Sequence, residues 1–323
     1  MRSVTTVSAV RLGRLGDLVM TLPALRWLAE HVRLQVVTEA RYQRLMGRAV
    51  PGAVVSAVDD VPELEPGDVR LDLHGVASAR RVLGALPVTS GARTVRVRKE
   101  SVRRRALLWP SLGVQGGRTW PERHLDAARR TLEVLGVAGG PPPSPIPAIE
   151  PDSSAEPALL GLVPGAAHET KRWPAAHFAA LADAWHERTG GSSVVLASDA
   201  EEAVARSVVG AHARWARDGD TPLLDLCASL ARCSVVVAGD TGPLHLAGAL
   251  GVPVAGLFGP TPRDAGFWVW GGRGVALSLG ASCAPCSMHG ARACHRPRRV
   301  CLDDLSPDRV LDAALSLQLR RAG

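Results

Sequence analysis

The sequence predicts an α/β protein of two domains, each a parallel sheet built from strand–helix–strand repeats. Short apolar runs alternate with longer amphipathic ones along both halves of the chain, as expected for parallel strands joined by crossover helices. A length of 323 residues exceeds one ordinary domain and suits two, each able to bury its own core. Between the halves lies "AGGPPPSPIPAIEPDSSAEP" (138–157), whose seven prolines disfavour both helix and central strand. It reads as an interdomain linker. The expected division is a first domain over 1–140, a proline-rich linker over 141–157 and a second domain over 158–323.

In the first half, "VSAVRL" reads as a strand, followed by a helix from about Asp17 to His31, the strand "LQVVTE" and a helix near Arg41. The strands "AVVSAV" and "VRLDLHG" come next, then a helix from about Ala77. The second half offers "LLGLVPG", a helix from about Ala175 to Arg188, "SSVVLAS", a helix from about Ala200 to Trp215 and a short helix near Cys227. It closes on "SVVVAGD" with its helix and on "PVAGLFG". In such sheets ligands bind at the carboxyl ends of the strands, where the strand order reverses.

Composition narrows the function. Apolar residues make up 46% and charged residues 21%, which fits a globular protein. No run approaches the roughly 18 apolar residues of a membrane-spanning helix, and the N-terminus lacks the pattern of a secretory signal, so the expected location is the cytoplasm. Charge is uneven: residues 1–150 hold 22 Lys+Arg against 14 Asp+Glu, and residues 151–323 hold 16 against 17. The positive charge concentrates in "RTVRVRKESVRRRALL" (93–108). That tract is either a solvated face or a surface for phosphate-bearing partners. One tyrosine and three phenylalanines in the whole chain argue against a base-stacking platform for nucleic acid.

Three strand-to-helix junctions carry polar residues that a plain crossover does not need. In "AGDTGPLHLAGALGVPVAGLFGPT" a strand ends at Gly239 and a helix starts at Asp240 or Thr241. Asp and Thr are good caps, and Pro243 suits the first turn. His245 lies one turn in on the same side, and a helix N-terminus with free N–H groups suits a phosphate or diphosphate. In "AVRLGRLGDLVMTLPALRWLAE", Gly13 and Gly16 bracket a tight loop before Asp17, without the spacing of a dinucleotide or phosphate-binding loop. Asp17 is either a helix cap or a carboxylate able to take a proton from a nucleophile. In "LVPGAAHETKRWPAAHF", Lys171 precedes Trp173-Pro174; it is either a surface cation or a phosphate ligand.

Taken in order, "RLGRLGDLVMTLPALRWL", "PGAAHETKRWPAAHFAAL" and "AGDTGPLHLAGALGVPVAGLFGPT" resemble the motifs of glycosyltransferase family 9, the ADP-heptose:lipopolysaccharide heptosyltransferases. "LDLHGVASARRVLGAL" is similar to another segment of that family. The resemblance implies a GT-B architecture, with two Rossmann-like domains facing a cleft, the first for the acceptor and the second for the nucleotide-sugar donor. It also implies inverting transfer of heptose from ADP-heptose to a lipopolysaccharide core, with no metal and Asp17 as general base. Lys171, Thr241 and Gly242 would bind the donor diphosphate, Asp240 and His245 would orient that site, and Glu201, next to Glu202, would meet the donor ribose. Arg93, Arg96, Arg98 and Arg103 would meet an anionic glycolipid acceptor, with peripheral contact to the inner membrane. Where heptosyltransferases that act first on the inner core commonly have a histidine, three residues after the base, this chain has Met20. A relative using another nucleotide sugar, a non-catalytic nucleotide-sugar binder and, more distantly, a nucleic-acid binder are the rival readings.

Six cysteines remain. Cys227 and Cys233 lie among helix and strand residues and read as core thiols. Cys283, Cys286, Cys294 and Cys301 are spaced x2, x7 and x6 apart. The first pair has zinc-like spacing and the second does not. A structural zinc, four free thiols and a disulfide all stay open, and none is required for glycosyl transfer.

Overall fold

The computed structural model describes residues 5–109, 112–216 and 222–322. The chain divides into two compact units, 1–100 with 118–148, and 101–117 with 149–323.

In the first unit β1 (Thr6–Val10), β2 (Arg33–Thr38), β3 (Val54–Ala57), β4 (Gly67–Asp72) and β5 (Val88–Arg96) form one sheet in the order β3-β2-β1-β4-β5. All four pairings are parallel. Every residue of β1 is buried, as a central strand covered on both faces requires. The chain turns through α1 (Leu15–Val19), α2 (Leu22–Ala29), α3 (Ala40–Ala49) and α4 (Ala77–Ala85), leaves through α5 (Ser101–Ala106) and returns as α6 (Trp120–Leu135). The single helix expected from Asp17 to His31 is therefore two. Pro23 has no N–H to continue the ladder, and the Thr21 hydroxyl donates to the Leu18 carbonyl at 2.6 Å. His124 of α6 completes the break, its Nδ1–H donating to the Met20 carbonyl at 3.0 Å.

Neither β5 nor α6 is among the elements expected above. Yet α6 carries a local signature. Thr119 and Glu122 form a capping box, Pro121 sits in the first turn, and Gly136 ends the helix in the left-handed region at φ 66°.

The second unit repeats the plan. Its strands are β6 (Leu159–Val163), β7 (Ser192–Leu196), β8 (Ala213–Ala216), β9 (Val235–Gly239), β10 (Val254–Leu257) and β11 (Gly274–Leu277), in the order β11-β10-β9-β6-β7-β8. All pairings are again parallel. The helices are α7 (Ala175–Thr189), α8 (Glu202–Arg206), α9 (Pro222–Arg232), α10 (Gly242–Ala249), α11 (Val300–Asp303) and α12 (Pro307–Ala322). Trp173, Phe178, Trp185, Leu302 and Leu305 anchor the core, and both indole N–H groups are satisfied, by the Leu305 and Ala158 carbonyls. Cys227 and Cys233 are buried in this unit, outside any disulfide among the described residues. The helix expected from Ala200 to Trp215 shrinks to α8. Ala213–Ala216 instead pairs with β7 as an edge strand, and the Trp215 indole donates to the Ala197 carbonyl.

The boundaries also differ from expectation. The proline-rich segment is not a free linker, because Ile149 N–H donates to the Ala249 carbonyl and Glu156 N–H to the Arg232 carbonyl, both at 2.7 Å. Its second half is thus laid onto the second unit. The excursion 101–117 also belongs there: a side chain at Gly116 would meet the Asp264 carbonyl at 2.9 Å. Arg103 therefore leaves the domain in which the sequence placed it.

His124 supplies a test of the first unit. Burial, and then the Arg11 cation, push its pKa from 6.5 down to about 3. The folded protein keeps the ring neutral while the unfolded chain takes up a proton, so the stability this represents is complete above pH 6.5 and is lost as pH falls toward 3. His124→Asn is expected to flatten the pH dependence of unfolding free energy in that window by up to about 1.4 kcal/mol per pH unit, measured by urea titration. An unchanged slope would show that the ring titrates as freely in the folded protein as in the unfolded chain.

Candidate active site

In both sheets the strand order reverses beside the first strand, between β1 and β4 and between β6 and β9. Parallel strands whose crossovers run to opposite sides leave a crevice at that point. The polar residues singled out from the sequence stand at these two places.

In the second unit, Lys171 comes from the turn after β6 and Asp240 from the end of β9. Lys171 Nζ lies 2.8 Å from Asp240 Oδ2, and His245 Nε2 lies 3.6 Å from Asp240 Oδ1. Burial alone would raise the Asp240 carboxyl, but the His245 imidazole and the Lys171 ammonium outweigh it and hold the pKa well below the usual carboxylate range. Asp240 is an anion at any physiological pH. Removing Lys171 would leave the largely buried carboxylate with His245 as its remaining partner in this cluster, which is destabilising. Among the described residues the buried His245 Nδ1 has no hydrogen-bond partner, and its ring lies 5.8 Å from that of Phe267 and 6.1 Å from that of Trp270.

Thr241 occupies the cap position of α10, yet its side chain does not cap the helix. Its hydroxyl donates back to the Gly239 carbonyl at 3.2 Å. The first backbone N–H groups of α10, beginning at Gly242, are thus not taken up by the residue placed to take them, which suits an anion. Gly239 is needed for the approach, since a side chain there would meet the Lys171 carbonyl at 2.8 Å.

Glu201 also reaches the end of β6. A side chain at Gly165 would strike its carboxylate at 2.0 Å, while the same carboxylate accepts from Ser198 N–H and Oγ–H at 3.1 and 2.9 Å. Glu202 instead pairs with Arg206 one turn on.

In the first unit Asp17 lies in the first turn of α1, whose cap position is held by Arg14. Asp17 is therefore not the cap. Its Oδ2 lies 3.1 Å from Nη2 of Arg11, whose side chain is 5% exposed against 29% for Asp17. Arg11 also donates to the Leu73 carbonyl at 2.6 Å. Burial lowers the Arg11 pKa, with Asp17 and Asp72 opposing. Asp72, fully buried, accepts from His74 N–H and Gly75 N–H at 3.0 and 2.6 Å, which fixes the turn after β4. His74 faces Gly13, where φ is 101° and a side chain would meet its Cε1 at 3.3 Å. Burial, then the Arg11 cation, lower the His74 pKa.

Three of the basic residues line an open groove of about 610 Å³ between β5 and α6: Arg93, Arg96 and Arg98, with Arg130 and Glu133. Arg96 also comes within 3.8 Å of Asp72. Arg103 lies in the other unit, bonded weakly to the Gln115 and Gly116 carbonyls.

Arg11, Asp72 and His74 escaped the reading of the sequence. The charged Arg11 inside an apolar strand pattern was the available signal. Gly290 had none: its Cα lies against the aliphatic stem of Lys171, where a side chain would meet Cδ at 2.8 Å. Next to it Thr170 and Ala291 are joined by reciprocal hydrogen bonds, and Arg299 donates to the Glu169 and Arg172 carbonyls. The cysteine-rich loop is thus the scaffold that holds Lys171 in place.

The family model for glycosyltransferase family 9 (heptosyltransferase) matches residues 73–294. The chain belongs to glycosyltransferase family 9. It is 26% identical over 168 residues to lipooligosaccharide heptosyltransferase 2 of Campylobacter jejuni, covering 49% of this chain and about half, 50%, of that protein's length. Its fold is that of the Escherichia coli ADP-heptose lipopolysaccharide heptosyltransferase II, with a TM-score of 0.71 at 18% identity over 99% of this chain and 100% of that one. The expected GT-B class, two Rossmann-like domains in one chain, is the class observed. The iron-containing dodecameric glycosyltransferase TibC of enterotoxigenic Escherichia coli shares it at a TM-score of 0.60 and 16% identity, over 100% of this chain and 78% of that one.

In this family 9 chain the four loop cysteines share one patch. Burial, then the neighbouring thiols, push the Cys301 pKa up to about 11, and the same causes raise Cys286. Among the described residues no disulfide joins any of the four, and no group of three or more His, Cys, Asp or Glu side chains converges to hold a metal ion. Thiol titration in denaturant is expected to count the same number of cysteines with and without prior chelation. Protection relieved by the chelator, with stoichiometric zinc or iron in the untreated protein, would show instead that the loop closes on a metal.

Proposed function

We propose that this family 9 chain transfers a heptose from ADP-heptose to an anionic lipopolysaccharide-core acceptor at the cytoplasmic face of a membrane, inverting the anomeric centre without a catalytic metal. The observation that carries the reading is the cluster of Lys171, Asp240 and His245 beside the uncapped N-terminus of α10, at the switch point of the second sheet. A cation, free backbone N–H groups and a hydroxyl converge there, as a leaving diphosphate needs. Asp240 keeps Lys171 in place, and the remaining protons of Nζ stay available for phosphate oxygens. Glu201, over Gly165, takes the donor ribose.

Asp17 takes the proton of the acceptor hydroxyl as its oxygen attacks the anomeric carbon. The bond from that carbon to the diphosphate breaks, and ADP leaves with the electron pair. Arg11 supports this role by orienting the carboxylate from 3.1 Å away. Arg93, Arg96 and Arg98 meet the anionic groups of the acceptor.

Asp17→Asn is expected to lower kcat by about 10²- to 10⁴-fold while leaving the calorimetric dissociation constant for ADP unchanged. Turnover retained in that variant, followed by mass spectrometry of the acceptor, would end the assignment of the base. Lys171→Ala is expected to weaken ADP binding by about 1.5–3 kcal/mol, and the wild-type protein to prefer ADP over UDP and GDP. Equal affinity of variant and wild type would remove Lys171 from the diphosphate site, and a preference for UDP or GDP would move the protein to another donor.

A further inference from the structure

Six large apolar side chains stand exposed among the described residues, and three of them lie close together in the chain: Val102 at 87%, Trp109 at 55% and Leu112 at 61%. Val102 belongs to α5, and Trp109 and Leu112 follow it in the chain. Of the eight tryptophans, Trp109 is the one classed as exposed. Leu107, between these residues, is buried at 9%, and the segment 101–117 belongs to the second unit. Trp109 N–H donates to the Ala106 carbonyl at 3.0 Å and Leu112 N–H to the Trp109 carbonyl at 2.9 Å, so backbone bonds tie both residues to the end of α5. The three consecutive arginines, 103 to 105, sit beside them, and no acidic residue occurs from Ser101 to Gly117.

We infer that α5, with Trp109 and Leu112 beyond it, forms a patch that docks the protein on an anionic lipid surface. Exposed Trp and Leu lose contact with water by entering the boundary between headgroups and acyl chains, where indole is favoured. The arginines then meet lipid phosphates, whose negative surface potential attracts each cation within a Debye length. Charge complementarity selects this occupant: apolar side chains set among cations, with no anion in the segment, match a negative surface with an apolar interior. Among the described residues no helix is long and apolar enough to cross a membrane, so the contact is peripheral. The inference rests on the reading that the acceptor is an anionic glycolipid, and it names the element that brings the protein to the surface where such an acceptor lies.

The test is flotation of the full chain with vesicles of phosphatidylcholine containing phosphatidylglycerol, and with vesicles of phosphatidylcholine alone. The wild-type protein is expected to float with the anionic vesicles only. The pair Trp109→Ser with Leu112→Ser, and the pair Arg103→Glu with Arg105→Glu, are each expected to reduce the bound fraction about tenfold. Val54→Ser, at an exposed position of β3, is expected to leave it unchanged. Failure of the wild-type protein to float, equal flotation with both vesicle types, or flotation unaltered in both paired variants would overturn the proposal. Thermal melting checks that the paired variants fold; if either does not, the single changes Trp109→Gln and Arg105→Gln take its place and should each give a smaller loss. Transfer to a lipid-free oligosaccharide acceptor separates the two readings. Transfer without flotation would overturn the docking patch alone, and flotation without transfer from any nucleotide sugar would overturn the enzymatic reading alone.

Discussion

The Asp240 carboxylate is the constraint around which the second unit is arranged. A carboxylate taken out of water must be met by cations or donors, or it is protonated. Lys171, 69 residues earlier, answers it, and that requires the turn after β6 to stand against the end of β9. The approach is close enough that Gly239 tolerates no side chain beside the Lys171 carbonyl. On its other side the Lys171 stem is covered by Gly290, and the turn is tied to the cysteine-rich loop through Thr170 and Arg299. One ion pair thus draws together two strand ends, a short 3-10 turn and a loop more than a hundred residues downstream.

The first unit meets the same demand with the charges reversed. Arg11 is the buried cation, and Asp17 and the Leu73 carbonyl are its partners. Asp72, buried beside it, is satisfied mainly by backbone N–H groups of the turn it caps. The common cause is topological. A parallel sheet whose order reverses leaves two strand ends with their loops diverging, so polar backbone and side chains gather there without displacing core residues. What differs is the chemistry offered. The second cluster surrounds a helix N-terminus and suits an anion, while the first presents a half-exposed carboxylate oriented by a buried guanidinium and suits the handling of a proton.

The cysteine-rich loop and the basic tract show how one stretch of sequence serves several ends. In the loop only the first cysteine pair has the spacing of a ligand set, and the contacts of the loop make it in addition the scaffold of Lys171. The tract at 93–108 looks like one basic surface, but the chain passes from one unit to the other within it. Arg93, Arg96 and Arg98 line the groove beside α6, and the arginines of α5 accompany exposed apolar residues instead.

Local pattern was enough for most of the architecture. Alternation of apolar runs and amphipathic stretches marked the parallel sheets, because strands buried on both faces must be apolar throughout. The strand-to-helix junctions marked Asp17, Lys171, Asp240, Thr241 and His245, because free helix ends and polar residues at strand ends are local facts of the chain. β5 and α6 escaped because arginines on an edge strand mask its alternation, and because the Thr119–Glu122 capping box went unread. The helix once expected through Trp215 became a strand because pairing with β7 outweighed local helix propensity. Arg11 with the Leu73 carbonyl, Glu201 over Gly165 and Gly290 against Lys171 belong to another order of information. Each is a contact between residues distant in sequence or a space only a glycine leaves open, and neither periodicity nor spacing encodes which distant residue will fill it.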